Sequence, residues 1–261
     1  MNEREKTMRD NKVRHALKRG EMVIGTMIQE VRSPAVAMML ANAGLDFMFI
    51  DMEHGPYDIA MVADIIKVAR LADIVPLVRV PDGQYHLIAR VLDAGAMGTM
   101  TPRVETREDV ERSVAAMRYP PLGERGYTSG KGNSDFQSVS MVEFAQHTNE
   151  NLLIVMQIER KAAIEHIDDL LSVPGVDVAL IGPADLSLSL GAPGPKDPVV
   201  QDAIQAVIDA GKRHGVATGI HLSDMEQLKQ WRERGMTMLT CFNDIGFITN
   251  GAKAAVNALR D

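Results

Sequence analysis

Short apolar runs alternate along the chain with longer stretches in which apolar residues recur at helical spacing. Eight runs are rich in Val, Ile, Leu, Met and Phe, and most are nearly continuous, as expected of parallel strands covered on both faces. This alternation predicts repeated βα units around a parallel sheet. The predicted strands span residues 22–29, 46–53, 74–80, 98–104, 152–159, 176–183, 217–222 and 236–243.

Amphipathic segments between these runs predict the helices. Ser33 followed by Pro34 indicates one helix start, with Ser33 as the N-cap and Pro34 at the first helical position. A charged stretch before the first strand predicts an additional surface helix at about residues 4–19. The other predicted helices span residues 34–43, 58–71, 85–94, 106–118, 162–171, 198–214, 224–234 and 245–259.

The length fits one such fold. A (β/α)8 barrel typically takes about 250 residues, and this chain has 261. We therefore predict a single (β/α)8 TIM-barrel domain over residues 1–261, with an N-terminal helix at about 4–19 and a C-terminal helix at about 245–259. A doubly wound open sheet is the alternative, because periodicity alone does not distinguish the two.

Charge and cysteine content limit the partners and the compartment. The 35 acidic residues exceed the 28 basic ones, giving a net charge of −7, which argues against binding to nucleic acid or anionic membranes. Cys241 is the one cysteine, so no disulfide forms within the chain, and a reducing compartment is indicated. No apolar run approaches the ~20 residues of a membrane span, and no signal peptide is evident. These features predict a cytoplasmic protein.

Polar residues concentrate where the predicted strands end. In a (β/α)8 barrel the active site lies at the carboxyl ends of the strands, so these residues are the candidates for chemistry. They are Asp51, Glu53 and His54 on strand two, Arg79 on strand three, Gln157 and Glu159 on strand five, Asp185 after strand six, His221 on strand seven, and Asn243 and Asp244 on strand eight.

Two carboxylates come from neighbouring strand ends. If strands five and six are adjacent, Glu159 and Asp185 meet, and ligation by oxygen alone suits Mg²⁺ or Mn²⁺. Gly182 permits close backbone approach, and a helix beginning near Ala184 or Asp185 directs free N–H groups at an anion. The plainer interpretation of Asp185 is a helix N-cap.

Two cationic or titratable residues complete the candidate site. Arg79 lies on an otherwise apolar strand and is either a structural ion-pair partner or a donor to a developing oxyanion. His54 follows an acidic strand end, and with a nearby carboxylate it forms a proton-transfer dyad. A lone histidine is more often structural, and we assign that role to most of the others, while His221 is a candidate for shaping substrate choice.

A segment at residues 119–151 is longer than the other connections. Its first half is rich in glycine and polar residues, which is typical of mobile loops over functional sites. We therefore expect it to act as a lid.

Five motifs, in order, resemble one known family. "DFMFIDMEHGPYD", "PLVRVP", "RYPPLGERGY", "VMQIER" and "GVDVALIGPADLSLSLG" are similar to the HpcH/HpaI family of metal-dependent 2-oxo-acid aldolases, over nearly the whole chain. The resemblance implies a (β/α)8 barrel that assembles as a homo-oligomer, a hexamer built as a trimer of dimers, with the final helix across a subunit interface. It also implies a role in aromatic or sugar-acid catabolism. Strand one departs from the pattern, since Thr26, Met27 and Ile28 stand where some members have a bulky aromatic residue.

The resemblance also implies roles for individual residues. Glu159 and Asp185 match the ligands of a divalent metal, Mg²⁺ or Mn²⁺ with Co²⁺ as a further candidate. Arg79 matches the residue that contacts the C2 oxygen of the oxo acid, and Gln157 lines the site. The substrate carboxylate is expected at the backbone of Gly182, Pro183, Ala184 and Asp185, and His54 with Asp93 matches an acid/base dyad.

The implied reaction is retro-aldol cleavage of a 4-hydroxy-2-oxo acid to pyruvate and an aldehyde, and its reverse. A Schiff-base route needs a lysine at the site, and none of the eight predicted strands contains one, which favours the metal route. Two alternatives stay open: a carbon–carbon lyase acting on a CoA thioester, and a non-catalytic barrel that binds a small molecule.

Overall fold

Eight parallel strands close into a barrel. A computed structural model describes residues 8–260 of the chain. Each strand pairs with the next in sequence, and the last pairs with the first, which confirms the (β/α)8 prediction and excludes the open sheet. The strands are β1 (Val23–Ile28), β2 (Phe47–Asp51), β3 (Val75–Arg79), β4 (Gly98–Thr101), β5 (Leu153–Ile158), β6 (Val178–Ile181), β7 (Ala217–Leu222) and β8 (Met238–Asn243).

Helices connect the strands and form the outer layer. They are α1 (Lys12–Lys18), α2 (Val36–Asn42), α3 (Ile59–Leu71), α4 (Tyr85–Asp93), α5 (Arg107–Met117), α6 (Met141–Asn151), α7 (Lys161–Glu165), α8 (Ile167–Leu171), α9 (Pro183–Ser189), α10 (Pro198–His214), α11 (Met225–Glu233) and α12 (Asp244–Arg260). None of the helices within residues 8–260 is long and apolar enough to cross a membrane.

Large apolar side chains fill the interior of the barrel. Phe47, Phe49 and Leu77 are fully buried there and belong to one apolar cluster with Met238. Gly25 makes room for this packing, because a Cβ at that position would clash with the Phe47 ring. A second cluster lies between the outward strand faces and the helices. The barrel is therefore a packed core, and the site lies at one end of it.

Helix α1 lies at the end where the strands begin. Its Val13 and Leu17 side chains are buried in the cluster that fills the barrel. The Asn11 side chain caps this helix and also donates to the Met97 carbonyl oxygen (2.8 Å). The predicted helix at about residues 4–19 thus begins at Lys12, and residues 4–7 of that prediction lie outside the described residues.

The helices of the structure differ from the prediction in three places. Helix α2 begins at Val36 with Ala35 as N-cap, so the Ser33 cap was wrong; the Ser33 carbonyl instead accepts from Val36 N–H in a preceding turn (3.0 Å). The predicted helix 162–171 is interrupted at His166 and becomes α7 and α8. The sequence reading also missed α6, which lies inside the long connection.

Residues 119–151 do not form the predicted lid over the site of their own barrel. Arg125 contacts Asp93 at the last residue of α4 (2.8 Å), and Asp135 forms a bidentate pair with Arg70 near the end of α3 (2.7 and 2.8 Å). Those helices run back from the carboxyl ends of the strands, so their last residues lie where strands begin. The segment joins α5 to β5 and therefore lies at the opposite end of its own barrel from the predicted site.

Candidate active site

A buried ion pair joins β2 to β3 at their carboxyl ends. Asp51 and Arg79 are register partners in the sheet, and both are buried. The Arg79 guanidinium donates to Asp51 through Nε (2.8 Å to Oδ1) and Nη2 (2.5 Å to Oδ2). Burial by itself raises the pKa of Asp51, but the hydrogen bonds and positive charge of Arg79 outweigh it and hold this pKa below its ordinary value. Asp51 is therefore ionised at neutral pH.

Further contacts fix this pair in one geometry. Asp51 also accepts from the Gln29 amide (2.7 Å) and from the backbone N–H groups of Glu53 (3.0 Å) and His54 (3.3 Å). Arg79 reaches Glu53 as well, with 3.3 Å between Nη1 and Oε2. Because its orientation is fixed from several sides, Arg79 is a preorganised donor at the mouth of the barrel.

The β5 and β6 ends bring a carboxylate, an amide and a glycine together. Gln157 donates through Nε2 to Oε2 of Glu159. Gly182 lies against both side chains: a Cβ there would lie 2.7 Å from Glu159 Oε2 and 2.8 Å from Gln157 Nε2. The close backbone approach expected at Gly182 therefore serves the packing of Glu159.

The Glu159 carboxyl group is buried among other acidic groups. Burial raises its pKa most, and the nearby charges of Glu53 and Asp185 raise it further, while the Arg103 N–H and Arg79 oppose the shift. The resulting pKa is about 7. A buried carboxylate that repels its neighbours in this way is stabilised by a cation.

The donor set at this point fits a hard divalent cation. Glu159 and Asp185 supply carboxylate oxygens, and the Gln157 Oε1 atom is buried without a hydrogen-bond partner among the described residues. Oxygen donors of this kind suit Mg²⁺ or Mn²⁺, with water or substrate completing the shell. No group of three or more His, Cys, Asp or Glu residues arranged to hold a metal occurs within residues 8–260. The protein alone thus offers an open site.

Arg103 is a site residue that the sequence reading missed. It follows β4 with a positive φ of 54°, and its backbone N–H donates to Glu159 Oε1 (2.9 Å). Its guanidinium lies 3.3 Å from Glu53 Oε1, and donates to the Pro81 carbonyl oxygen (2.5 Å). Arg103 therefore links Glu159 to Glu53, which in turn contacts Arg79. The sequence does not reveal a contact of this kind, because the backbone N–H group does not depend on the side chain.

The structure does not bring His54 and Asp93 together within one chain. The His54 side chain is 61% exposed, and its nearest acidic partner is Glu53, with 3.9 Å between Nε2 and Oε2. Asp93 ends α4 and pairs with Arg125 at the opposite end of the barrel. The expected dyad is thus not formed in the single chain, because α4 carries Asp93 away from the carboxyl ends of the strands.

The remaining predicted site residues lie near the Glu159 carboxylate. Gly182 ends the connection from β6, and Pro183 begins α9. Ala184 and Asp185 follow in the first turn, where N–H groups have no helical acceptor. The structure therefore places Gln157, Glu159 and residues 182–185 on the β5–β6 side of the mouth, and Arg79 on β3.

Comparisons with known proteins identify relatives of this chain over nearly its whole length. Residues 27–250 match the model of the HpcH/HpaI aldolase/citrate lyase family. The chain is 31% identical over 257 residues to a hydroxypyruvate/pyruvate aldolase of Paraburkholderia phytofirmans, covering 96% of this chain and 98% of that protein. It is 30% identical over 251 residues to a 5-keto-4-deoxy-D-glucarate aldolase of Shigella sonnei, covering 96% and 97%. Among solved structures, an HpcH/HpaI aldolase from Desulfitobacterium hafniense is similar at a TM-score of 0.90 and 34% identity, covering 95% and 96%.

Proposed function

Because the chain belongs to the HpcH/HpaI aldolase/citrate lyase family, whose relatives named above are carbon–carbon lyases, we propose the following specific reaction. The protein is a divalent-metal-dependent aldolase that cleaves a 4-hydroxy-2-oxo acid to pyruvate and an aldehyde, and that catalyses the reverse addition. The observation that carries the proposal is the arrangement of Arg79 opposite Glu159, the two being linked through Glu53 and Arg103.

Each side chain has a defined task in this proposal. Glu159 and Asp185 would hold Mg²⁺ or Mn²⁺, with Co²⁺ as a further candidate, and the bound cation would polarise the C2 ketone so that it accepts electrons. Arg79, fixed by Asp51, donates to the C2 oxygen as negative charge develops there. The first turn of α9 receives the substrate carboxylate at the N–H groups of Ala184 and Asp185.

Proton transfer at the C4 hydroxyl group is assigned to His54. This imidazole is exposed at the mouth of the barrel, where a substrate hydroxyl or a bridging water reaches it. Asp93 is too far along α4 to orient His54 within the same chain, so a part for Asp93 in the reaction stays a prediction from the family resemblance.

We also propose that the protein works as a homo-oligomer, with a hexamer built as a trimer of dimers as the expected form. Helix α12 supports this, because its apolar side chains Phe247, Ile248 and Leu259 are 38%, 61% and 88% exposed. A helix of this length with exposed apolar residues gains stability by packing against another surface. Sedimentation equilibrium tests this proposal, and a monomer at micromolar concentration would contradict it.

Exchange of the pyruvate methyl protons tests the proposed reaction. We expect the protein to exchange these protons for deuterium in D2O when Mg²⁺ or Mn²⁺ is added, because the enolate form of pyruvate is common to both directions. We expect Glu159→Gln to lose the exchange, and the matched variant Glu165→Gln, at an exposed position of α7, to keep it. Absence of exchange by the unaltered protein with either metal would refute the proposal.

A further inference from the structure

Two polar side chains face the barrel mouth from β7 and β8. His221 and Thr240 are register partners in these neighbouring strands. Met238, two residues before Thr240, points into the packed barrel interior, as does Ala217, four residues before His221. Because side chains alternate along a strand, His221 and Thr240 point to the same side, one layer nearer the mouth.

Both residues have polar atoms that are buried without a partner. Within residues 8–260, neither His221 Nδ1 nor Thr240 Oγ1 has a hydrogen-bond partner. Thr240 is fully buried. On the next strand, by contrast, the Thr26 hydroxyl donates to the Cys241 carbonyl oxygen at 2.8 Å. Buried polar groups are generally satisfied in native proteins, so two unsatisfied ones on adjacent strands indicate a place for a ligand.

The electrostatic setting of His221 defines which ligand group fits. Burial, together with the positive charge of Arg79, lowers its pKa to about 4, although the negative charge of Asp51 opposes this shift. The ring is therefore neutral at neutral pH and lies close to the Asp51–Arg79 pair. A neutral imidazole has one donor and one acceptor nitrogen, and a threonine hydroxyl also does both. A ligand hydroxyl group can both donate to and accept from His221 and Thr240. A carboxylate or a carbonyl oxygen can only accept.

The positions of His221 and Thr240 relative to the proposed pyruvate site are also informative. Pyruvate contacts come from Arg79 on β3 and from the β5–β6 side, at Glu159 and Asp185. The arc formed by β7, β8, β1 and β2 is then left for the second substrate, and His54, assigned above to the C4 hydroxyl, follows β2. His221 and Thr240 lie on that arc, within electrostatic reach of Arg79.

We propose that His221 and Thr240 form a subsite for a hydroxyl group of the aldehyde, so that the physiological acceptor is a hydroxyaldehyde rather than a simple alkyl aldehyde. This inference rests on the proposed aldolase function. It assigns the discrimination between aldehydes to two residues that take no part in holding pyruvate. A site built to hydrogen-bond a hydroxyl group discriminates against the analogue that lacks it, because its own polar atoms are then left unpaired.

Glycolaldehyde and propionaldehyde test this assignment, because they have the same number of non-hydrogen atoms and differ in one hydroxyl group. With pyruvate as the donor, we expect kcat/KM to be at least about tenfold higher for glycolaldehyde. Thr240→Val keeps the shape of the side chain and removes its hydroxyl, and His221→Leu removes both ring nitrogens. Each is expected to lower the ratio of the two kcat/KM values by about tenfold, through the glycolaldehyde value.

A control variant and a second measurement distinguish failure of this inference from failure of the proposed function. Thr26→Val alters a buried threonine whose hydroxyl already has a partner, and we expect it to leave the ratio unchanged. His221→Asn, which restores a donor and an acceptor, is expected to recover part of the preference. An unchanged ratio in both Thr240→Val and His221→Leu would overturn the inference, as would loss of deuterium exchange into pyruvate by either variant. Absence of exchange in the unaltered protein would instead refute the proposed function.

Discussion

Replacing Gly182 with alanine tests how tightly the position of Glu159 controls the reaction. The added Cβ would lie 2.7 Å from Glu159 Oε2, whereas ordinary van der Waals contact begins at 3.4 Å, so the carboxylate must move by about 0.7 Å. It cannot retreat freely, because Arg103 N–H and Gln157 hold its two oxygens. Misplacement of a reacting group by about 1 Å costs roughly 100-fold in rate. We therefore expect a loss of ten- to 100-fold in kcat/KM.

The assay compares metal-dependent deuterium exchange into pyruvate with the melting temperature of each variant. Gly194→Ala is the matched control. Apart from its chain neighbours, no atom of the described residues lies within 4 Å of the corresponding Cβ, so activity should be retained. We expect Gly182→Ala to fold, since overpacking by one methyl group costs about 1–3 kcal/mol. A folded Gly182→Ala variant with full exchange activity and unchanged metal affinity would refute the reasoning.

Three further predictions follow from buried charges. Asp244→Ala removes the acceptor of the Gln29, Glu30 and Val31 N–H groups (2.9, 2.9 and 2.6 Å) and should lower the free energy of unfolding by about 3 kcal/mol in urea titrations; a change below about 1 kcal/mol would contradict this. Asp51→Asn leaves Arg79 buried without a full counter-charge and should reduce both exchange activity and stability, the latter by about 3 kcal/mol. In EDTA, stability should fall as pH rises from about 4.5 to 7, by at most about 3 kcal/mol, because the folded state binds the Glu159 proton more tightly than the unfolded state. Glu159→Gln should remove this fall.

The sequence could indicate the site residues that lie at the carboxyl ends of strands. Parallel strands in a barrel end at one face, so polar residues that follow apolar runs converge there whatever the details of packing. Arg79 and Glu159 were found in this way. The unpaired hydroxyl of Thr240 was not, since recognising it requires the β7–β8 register and the finding that no group within residues 8–260 forms a hydrogen bond with it. Arg103 was missed because its contact with Glu159 is made by the backbone.

Chain direction explains why, within a single chain, residues 119–151 do not cover the site and His54 does not pair with Asp93. The 119–151 segment follows a helix and precedes a strand, so in a barrel it must lie at the amino ends of the strands. Asp93 ends a helix and must lie at that same end, whereas His54 follows a strand and lies at the other. Loop composition favoured a lid and the family resemblance implied a dyad, but the connectivity of a (β/α)8 barrel excludes both within one chain.

The balance of charges at the mouth gives a last prediction. Asp51, Glu53, Glu159 and Asp185 contribute four negative charges when ionised, against two positive charges from Arg79 and Arg103, so the formal total is −2. A divalent cation compensates this total, and it must displace the proton that Glu159 holds below its pKa of about 7. We expect Mg²⁺ or Mn²⁺ binding at pH 6 to release close to one proton, measured by calorimetry in buffers of different ionisation enthalpy. Release should decline towards zero at pH 8, and equal release at both pH values would show that Glu159 is not the group displaced.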